Sequence, residues 1–169
     1  FLGNPRTWNS GQGPSPIEQN AEAKGIDDVG FLAALIGRVA SQTPIDPRRV
    51  YVAGHSNGAA MAYRLARERP ELVAAVGTMA GHIGQYSDLE RLESPVSLIH
   101  IVGDQDPYSP LEGGVIIRKG VQVTTRAPRL DVEDWAAANG LTSTDDPRSI
   151  DRGDGRIQEL RWGGVGGSG

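Results

Sequence analysis

One segment restricts the fold more than any other part of the chain. Val50, Tyr51 and Val52 form an apolar run of β-branched and aromatic side chains, and after Ala53 residues 54–58 have the sequence Gly-His-Ser-Asn-Gly. The run predicts a strand, and the small residues after it favour a helix packed closely against that strand. The two glycines remove the Cβ atoms that would obstruct a sharp turn, so Ser56 is expected at its tip. This is the setting of a nucleophilic serine; an ordinary strand-to-helix turn is the alternative.

Helical and strand patterns alternate along the rest of the chain. A helix is predicted from Asp28, where apolar residues recur at helical spacing and Asp27 or Asp28 can cap the first turn. A second helix follows Ser56 and stops at Pro70. The remaining predictions are strands at Leu72–Ala80, Val96–Val102 and Ile157–Trp162, and a helix at Leu130–Asn139 with Asp131 as a candidate cap and Gly140 beyond its end. Because the apolar strand runs do not alternate cleanly, we predict an α/β fold with a mostly parallel sheet and helices on both faces.

The length of the chain fits a single domain. A chain of 169 residues can bury one core and is too short for two domains of typical size. Residues 1–25 are rich in glycine, proline, asparagine and serine and predict a loop-rich entry, whereas residues 163–169 form a Gly/Ser-rich tail. The chain has no initiator methionine, and no signal peptide is recognised at its start. We therefore expect residues 1–169 to form one partial domain of a longer protein.

Composition argues against several classes of function. The 17 basic and 21 acidic side chains give a net charge of −4 without any basic block, which argues against a nucleic-acid partner. No apolar run approaches the roughly 20 residues of a membrane helix. The absence of cysteine excludes disulfides and a cysteine nucleophile. No cofactor and no metal are predicted, because the paired acids Asp27 and Asp28 lack further ligands at suitable spacing.

A nucleophilic serine needs a histidine as general base and a carboxylate that orients this histidine. Where a serine lies in such a strand-to-helix turn, the acid follows a later strand and the histidine follows the acid. The strand predicted at Val96–Val102 is followed by Asp104 and Asp106, and both are candidates for the acid. A loop that the Asp-Pro turn merely caps is the alternative.

The three histidines do not complete this order. His55 neighbours Ser56, but its side chain should diverge from the serine at the turn, and His100 is expected in or near the core of a strand. His82 follows a strand at the edge where Ser56 lies, and it is the only candidate base within the chain, although it precedes both acids. A base outside the chain is the favoured prediction. For the oxyanion, the backbone N–H of Asn57 is predicted as one donor, and no second donor is recognised.

Four sequence blocks are specific enough to compare with known families. They are residues 6–9 (Arg-Thr-Trp-Asn), residues 25–32, residues 45–58 and residues 103–107 (Gly-Asp-Gln-Asp-Pro). Together these blocks resemble the polyhydroxybutyrate depolymerase and feruloyl/acetylxylan esterase group of secreted α/β-hydrolases. The resemblance covers most of the chain and implies the α/β-hydrolase fold.

The resemblance also implies roles for individual residues. Ser56 would be the nucleophile, Asp106 rather than Asp104 the acid, and Trp8 an aromatic side chain in a loop near the substrate. For Trp8, an anchor of that loop is an equally good interpretation. The base of the family lies in a Gly-His-x-Trp-Pro-like segment after the last strand. A polyester or plant cell-wall ester would be the substrate, and the protein would be secreted.

Three other functions stay open at the level of sequence. A peptidase or an acyltransferase could use the same serine turn, since this turn does not specify the leaving group. A degenerate relative with a binding or scaffold role would explain the missing histidine equally well. An unrelated α/β protein would require the matching blocks to be coincidental. The sequence predicts no particular ester and no oligomeric state.

Overall fold

The computed structural model describes residues 7–12, 21–84, 92–118, 120–141, 148–151 and 156–162. Its helices are α1 (Asp28–Gln42), α2 (Asn57–Glu68) and α3 (Pro128–Ala138). Its strands are β1 (Tyr51–His55), β2 (Ala75–Met79), β3 (Ser97–Ile101), β4 (Gly114–Arg118), β5 (Val121–Thr125), β6 (Arg148–Asp151) and β7 (Arg156–Glu159). Two short 3₁₀ helices, Pro47–Arg49 and Pro70–Leu72, precede β1 and β2. The predicted tail at 163–169, and residues 1–6 and 13–20 of the predicted entry, lie outside the described residues.

A three-stranded parallel sheet carries the predicted site. Its strands lie in the order β1-β2-β3, with Tyr51 opposite Ala75 and Ala75 opposite Ser97. All three strands therefore end at the same edge, and the turns that follow them are neighbours. The parallel α/β organisation expected from the sequence is confirmed for these strands. The other four strands form two antiparallel ribbons, β4-β5 and β6-β7.

The core lies between the sheet and the helices. Helix α2 packs against β1 and β2 and contributes seven buried residues to this core, namely Ala59, Ala60, Met61, Ala62, Tyr63, Leu65 and Ala66. Trp135 of α3 is only 2% exposed and meets Tyr63 edge-on, with ring centroids 5.4 Å apart. Its indole N–H donates to the Val96 carbonyl at 2.9 Å. Trp135 therefore belongs to the core.

The opposite face of the sheet differs from the prediction. Tyr51 at one edge and Ile99 at the other are 64% and 67% exposed, and Ile101 is 53% exposed. Within the described part of the chain, helices therefore cover one face of the sheet only. The sequence did not indicate that one face is exposed, because both faces of the strands carry apolar residues. The strands therefore lack the alternation of apolar and polar residues that a half-exposed sheet usually has.

The residues at the helix boundaries agree with the predictions, with one exception at the start of α3. Asp27 is the N-cap of α1, and its side chain accepts a hydrogen bond from the Gly30 N–H. Gly140 adopts φ 74° just after α3, as the sequence predicts. The prediction of Asp131 as a cap is wrong, because α3 begins three residues earlier with Pro128 in its first turn. Proline already has the helical φ and needs no N–H partner there.

Candidate active site

Ser56 occupies a backbone conformation that non-glycine residues rarely adopt. Its φ is 54° and its ψ is −119° at the junction between β1 and α2. Such a conformation costs of the order of 1–3 kcal/mol and persists only where the surroundings enforce it. Here the Ser56 N–H donates to the Met79 carbonyl at 2.9 Å, which ties the turn to the end of β2. Ser56 is also the N-cap of α2, yet its side chain makes no capping hydrogen bond. The hydroxyl is therefore not used to stabilise the helix.

Glycines make this turn possible. A Cβ on Gly54 would lie 2.6 Å from the backbone nitrogen of Ala59 and nearer still to the Gly58 carbonyl. A Cβ on Gly81, beyond β2, would lie 2.7 Å from the Ser56 carbonyl oxygen. Real Cβ atoms do not approach backbone so closely, so α2 can approach the strand ends only because these positions lack side chains. The turn predicted from the Gly-x-Ser-x-Gly pattern is thus present, with Gly81 as a further requirement that the pattern did not contain.

The structure brings together two of the predicted site residues, Asn57 and Trp8. The Trp8 N–H donates to Asn57 Oδ1 at 2.6 Å, and Asn57 Nδ2 donates to the Trp8 carbonyl at 3.3 Å and to Ser10 Oγ at 2.9 Å. The indole nitrogen of Trp8 lies 4.0 Å from the position that a Cβ on Gly58 would take. Residues 7–12 are therefore fastened directly onto the turn that carries Ser56.

The backbone N–H of Asn57 lies at the start of α2. The N–H groups of the first helical turn have no partner inside the helix, and the positive end of the helix dipole favours negative charge there. The side chain of Asn57 is already bonded to Trp8 and Ser10, so only its backbone can offer a hydrogen bond next to Ser56. This geometry is compatible with the predicted oxyanion donor.

A second set of contacts holds the same loop to the helices. The Asn9 N–H donates to Asp28 Oδ2 at 2.7 Å, and Arg64 of α2 donates to the Asn9 carbonyl at 2.7 Å. Asp28 is buried, and Ser10 is only 1% exposed. Asp28 therefore anchors the loop, whereas Asp27 caps α1. Sequence reasoning missed Ser10 and Arg64, because their partners are far away along the chain.

Asp106 lies in the loop after β3, at the sheet edge that also carries Ser56. Its Oδ1 accepts a hydrogen bond from the Tyr108 N–H at 2.8 Å, and the Ser109 N–H lies 3.4 Å from its carbonyl oxygen. Asp106 is half-buried, whereas Asp104 is exposed. One strand, β2, separates β1 from β3, and no hydrogen bond joins Ser56 to Asp106 among the described residues. Any bridge between them needs an intervening group.

His100 is held in the covered layer of the sheet. Its Nδ1 lies 2.9 Å from both the Tyr63 hydroxyl and Thr78 Oγ1. Burial lowers the pKa of His100, partly opposed by the charge of Asp131, and burial raises the pKa of Tyr63. The expectation of a core histidine is confirmed, and the other ring nitrogen, Nε2, is buried without a hydrogen-bond partner in the described residues.

His82 is bonded to residues other than Ser56. Its Nδ1 lies 2.9 Å from Asp131 Oδ2, and its Nε2 lies 3.1 Å from Ser109 Oγ. Both ring nitrogens are thereby engaged, which argues against His82 as the base for Ser56. His55, the remaining histidine, is exposed at the end of β1. Sequence reasoning missed Asp131 and Ser109 as partners, since neither belongs to a recognisable motif.

Within the described residues, no group of three His, Asp or Glu side chains could hold a metal ion. No helix in the same part of the chain is both long and apolar enough to cross a membrane.

Comparisons with known proteins identify relatives of this chain. "Putative esterase NocK" of Nocardia uniformis subsp. tsuyamanensis is 32% identical over 106 residues, which are 63% of this chain and 30% of that protein. "Probable feruloyl esterase C" of Aspergillus niger is 33% identical over 89 residues, 53% of this chain and 32% of that protein. Feruloyl esterase C of Emericella nidulans is 28% identical over 114 residues, 68% of this chain and 42% of that enzyme. The chain thus spans less than half the length of each of these relatives.

A family model covers most of the described site, except the loop at residues 7–12. The model described as "Esterase PHB depolymerase" matches residues 17–126, which include the Ser56 turn, the sheet and the Asp106 loop. This match extends over more than half of the chain, and the esterase relatives agree with it. The chain therefore belongs to the PHB depolymerase family of esterases.

Proposed function

We propose that the protein hydrolyses carboxylic esters through a serine acyl-enzyme, with Ser56 as the nucleophile. The backbone of Ser56 carries this proposal, because φ 54° at a non-glycine residue is a strained conformation that an ordinary helix cap does not need. The hydroxyl makes no capping bond, although serine is among the best N-cap residues. A strained turn whose hydroxyl is unused by the helix fits a nucleophile better than a structural turn. Membership of an esterase family supports the same reaction class.

The reaction begins when Ser56 Oγ attacks the ester carbonyl and gives its proton to a histidine. The carbonyl oxygen becomes an oxyanion, and the Asn57 N–H at the positive end of α2 stabilises it. When the tetrahedral intermediate collapses, the bond from the carbonyl carbon to the alkoxy oxygen breaks, and the imidazolium protonates the departing alcohol. Water, activated by the same histidine, then cleaves the acyl-enzyme to the acid and restores the Ser56 hydroxyl.

Asp106 orients the histidine and stabilises its cationic form in this proposal. Asp106 is half-buried at the sheet edge that carries Ser56. Its Oδ1 accepts the hydrogen bond from the Tyr108 N–H, and this bond does not involve Oδ2. Asp104 is exposed, and no hydrogen bond supports its carboxylate among the residues that the structure describes. His82 and His100 are both engaged elsewhere. We therefore propose that the base is a histidine outside the present 169 residues.

The substrate is a polyester or a plant cell-wall ester, by similarity to the family and to the feruloyl esterases. Trp8 lies beside the Ser56 turn and would contact the substrate there. By resemblance to a secreted group of esterases, we propose that the protein is secreted. Release of acid from poly(3-hydroxybutyrate) film or from methyl ferulate distinguishes the two substrate classes.

A serine-reactive fluorophosphonate tests the nucleophile directly. The full-length protein is treated with the reagent, digested, and analysed by mass spectrometry to find the labelled serine. We expect the label on Ser56, and we expect Ser56→Ala to lose both the label and ester turnover. Ser41→Ala is the matched control, because Ser41 is an exposed serine of α1 that bonds only to the Arg38 carbonyl in the described structure.

Two outcomes would contradict the proposal. Full ester turnover by Ser56→Ala would exclude Ser56 as the nucleophile. A full-length protein that neither reacts with the reagent nor cleaves any ester would instead favour a degenerate relative with a binding or scaffold role.

A further inference from the structure

A second Ser-His-Asp arrangement lies beside the proposed catalytic residues. His82 Nδ1 is 2.9 Å from Asp131 Oδ2, and His82 Nε2 is 3.1 Å from Ser109 Oγ. The Asp131 side chain also receives the Ile83 N–H at 3.4 Å, and its other oxygen lies 3.5 Å from Arg126. Because a carboxylate only accepts hydrogen bonds, Nδ1 carries a proton toward Asp131, and in the neutral imidazole Nε2 then accepts from the Ser109 hydroxyl.

Burial argues against Ser109 as a second nucleophile. Ser109 is only 2% exposed and Asp131 only 1% exposed, so a substrate carbonyl cannot reach the Ser109 hydroxyl. Ser109 is also not among the described non-glycine residues with positive φ, unlike Ser56. Asp131, His82 and Ser109 therefore make the hydrogen bonds of a catalytic triad, but Ser109 and Asp131 are too deeply buried for catalysis, as expected of residues that support the structure.

The hydrogen bonds among Asp131, His82 and Ser109 join three segments of the protein near Asp106. Asp131 belongs to α3, His82 follows β2, and Ser109 lies in the loop that follows β3. Ser109 is also connected to Asp106, because its N–H lies 3.4 Å from the Asp106 carbonyl oxygen. A hydrogen bond from the Ser109 side chain to His82 thus fixes the far side of the turn that begins at Asp106.

We propose that His82 is a positioning residue, which holds the Asp106 loop in place through Ser109 and is itself oriented by Asp131. This inference rests on the proposed role of Asp106 as the acid of the esterase. A buried hydrogen bond at this point restricts the loop, because a released Ser109 hydroxyl would need another partner. Catalytic groups displaced by about 1 Å lose rate by up to roughly a hundredfold, so the loop has to be held firmly.

Ser109→Ala is the first test, made in the full-length protein. It removes the hydroxyl and leaves the His82–Asp131 bond. We expect kcat to fall by about tenfold to a hundredfold with KM little changed, because only the alignment of the acid is lost. Amide exchange at Tyr108, whose N–H bonds Asp106 Oδ1, should become faster. Ser109→Thr keeps the hydroxyl and should restore both properties, and Ser97→Ala, an exposed change at the start of β3, should affect neither.

His82→Asn gives a second route to the same bond. The asparagine amide can still donate to Asp131, but it is too short to reach Ser109. We expect it to lower kcat by as much as Ser109→Ala, and we expect the double variant to be no worse than either single variant. Additive losses in kcat would overturn the proposal, as would a Ser109→Ala protein with unchanged kcat.

The role of Asp106 is checked separately with Asp106→Asn. If Asp106→Asn retains full kcat while Ser109→Ala still speeds exchange at Tyr108, the proposed acid is wrong and the support of the loop stands without a catalytic role. If Asp106→Asn abolishes turnover while Ser109→Ala changes neither exchange nor kcat, the proposed function stands and His82 is not a positioning residue.

Discussion

The side chain of Asn57 makes two hydrogen bonds with the backbone of Trp8: Oδ1 accepts from the Trp8 N–H at 2.6 Å, and Nδ2 donates to the Trp8 carbonyl at 3.3 Å. This pair joins the proposed oxyanion donor to the loop beside the active site. The two parts of Asn57 are therefore separable: its backbone N–H is the proposed oxyanion donor, and its side chain holds Trp8 and Ser10.

Asn57→Ala separates these two roles. The substitution keeps the backbone N–H and removes the side-chain hydrogen bonds that Asn57 makes with the Trp8 N–H and with Ser10 Oγ. Because Ser10 is buried, we expect the free energy of unfolding to fall by about 1–3 kcal/mol. Because the backbone donor remains, turnover should fall much less than in Ser56→Ala. Chemical denaturation and initial rates measure the two effects, and a loss of turnover equal to that of Ser56→Ala would contradict the separation.

Gly54→Ala should destabilise the protein strongly. The added Cβ would lie 2.6 Å from Ala59 N, against backbone that cannot rotate away. Overpacking of this kind costs about 3 kcal/mol, and we expect turnover to fall as well because the Ser56 turn must shift. Gly37→Ala is the matched control, since a Cβ on this residue of α1 meets nothing within 4 Å. It should raise the free energy of unfolding by about 0.5–1 kcal/mol through helix propensity. Equal effects at the two positions would contradict the crowding seen at Gly54.

Asp106→Asn should lower kcat far more than Asp104→Asn. An amide in place of the carboxylate cannot stabilise the histidine cation, and the loss of such a group costs of the order of 10⁴-fold in serine hydrolases. Asp104 is exposed in the same loop, so its amide variant should stay within about twofold of the original rate. Steady-state kinetics on a soluble ester distinguish the two acids. Equal losses for the two variants would remove the preference for Asp106.

Much of the fold was predictable because its signals are local. Helices α1 and α2 begin near the predicted residues, and α2 also ends near its predicted stop, since the Asp27 cap, the apolar periodicity and Pro70 act within a few residues. The Ser56 turn was predictable for the same reason: its crowding comes from Gly54 and Gly58, which are neighbours in sequence.

Long-range partners were not predictable in this way. The bond between His82 and Asp131 joins residues 49 positions apart, and an aspartate early in a helix more often suggests a cap. Asp131 was therefore assigned the wrong role. The β4-β5 hairpin was missed although Gly120 turns it with φ 80°, because its strands of five residues give little pattern on either side. The uncovered sheet face depends on which helices are present, and strand composition alone does not show this.

Ser56→Gly and Ser56→Ala should separate strain from chemistry. Both should lose turnover, but glycine accepts φ 54° without the Cβ penalty of about 1–2 kcal/mol. After allowing for the greater flexibility of glycine in the unfolded chain, we expect the glycine variant to be more stable than the alanine variant by about 1 kcal/mol. The same pair at Ser41, inside α1, should show the opposite order by about 1 kcal/mol. An alanine variant as stable as the glycine variant at residue 56 would exclude strain at the turn.

His100 should make the stability of the protein depend on pH. Burial lowers its pKa from the ordinary value of 6.5, while Asp131 opposes this shift and His82 adds to it. The unfolded chain therefore binds a proton at a higher pH than the folded protein does. Linkage requires the free energy of unfolding to fall as pH drops below about 6.5, until the folded protein also protonates at its lower pKa. We expect His100→Gln to make the decline between pH 7 and pH 5 shallower, whatever its effect at pH 7, when denaturation curves are compared at each pH. His55→Gln removes an exposed imidazole as the control, and a decline unchanged by His100→Gln would show that other groups cause it.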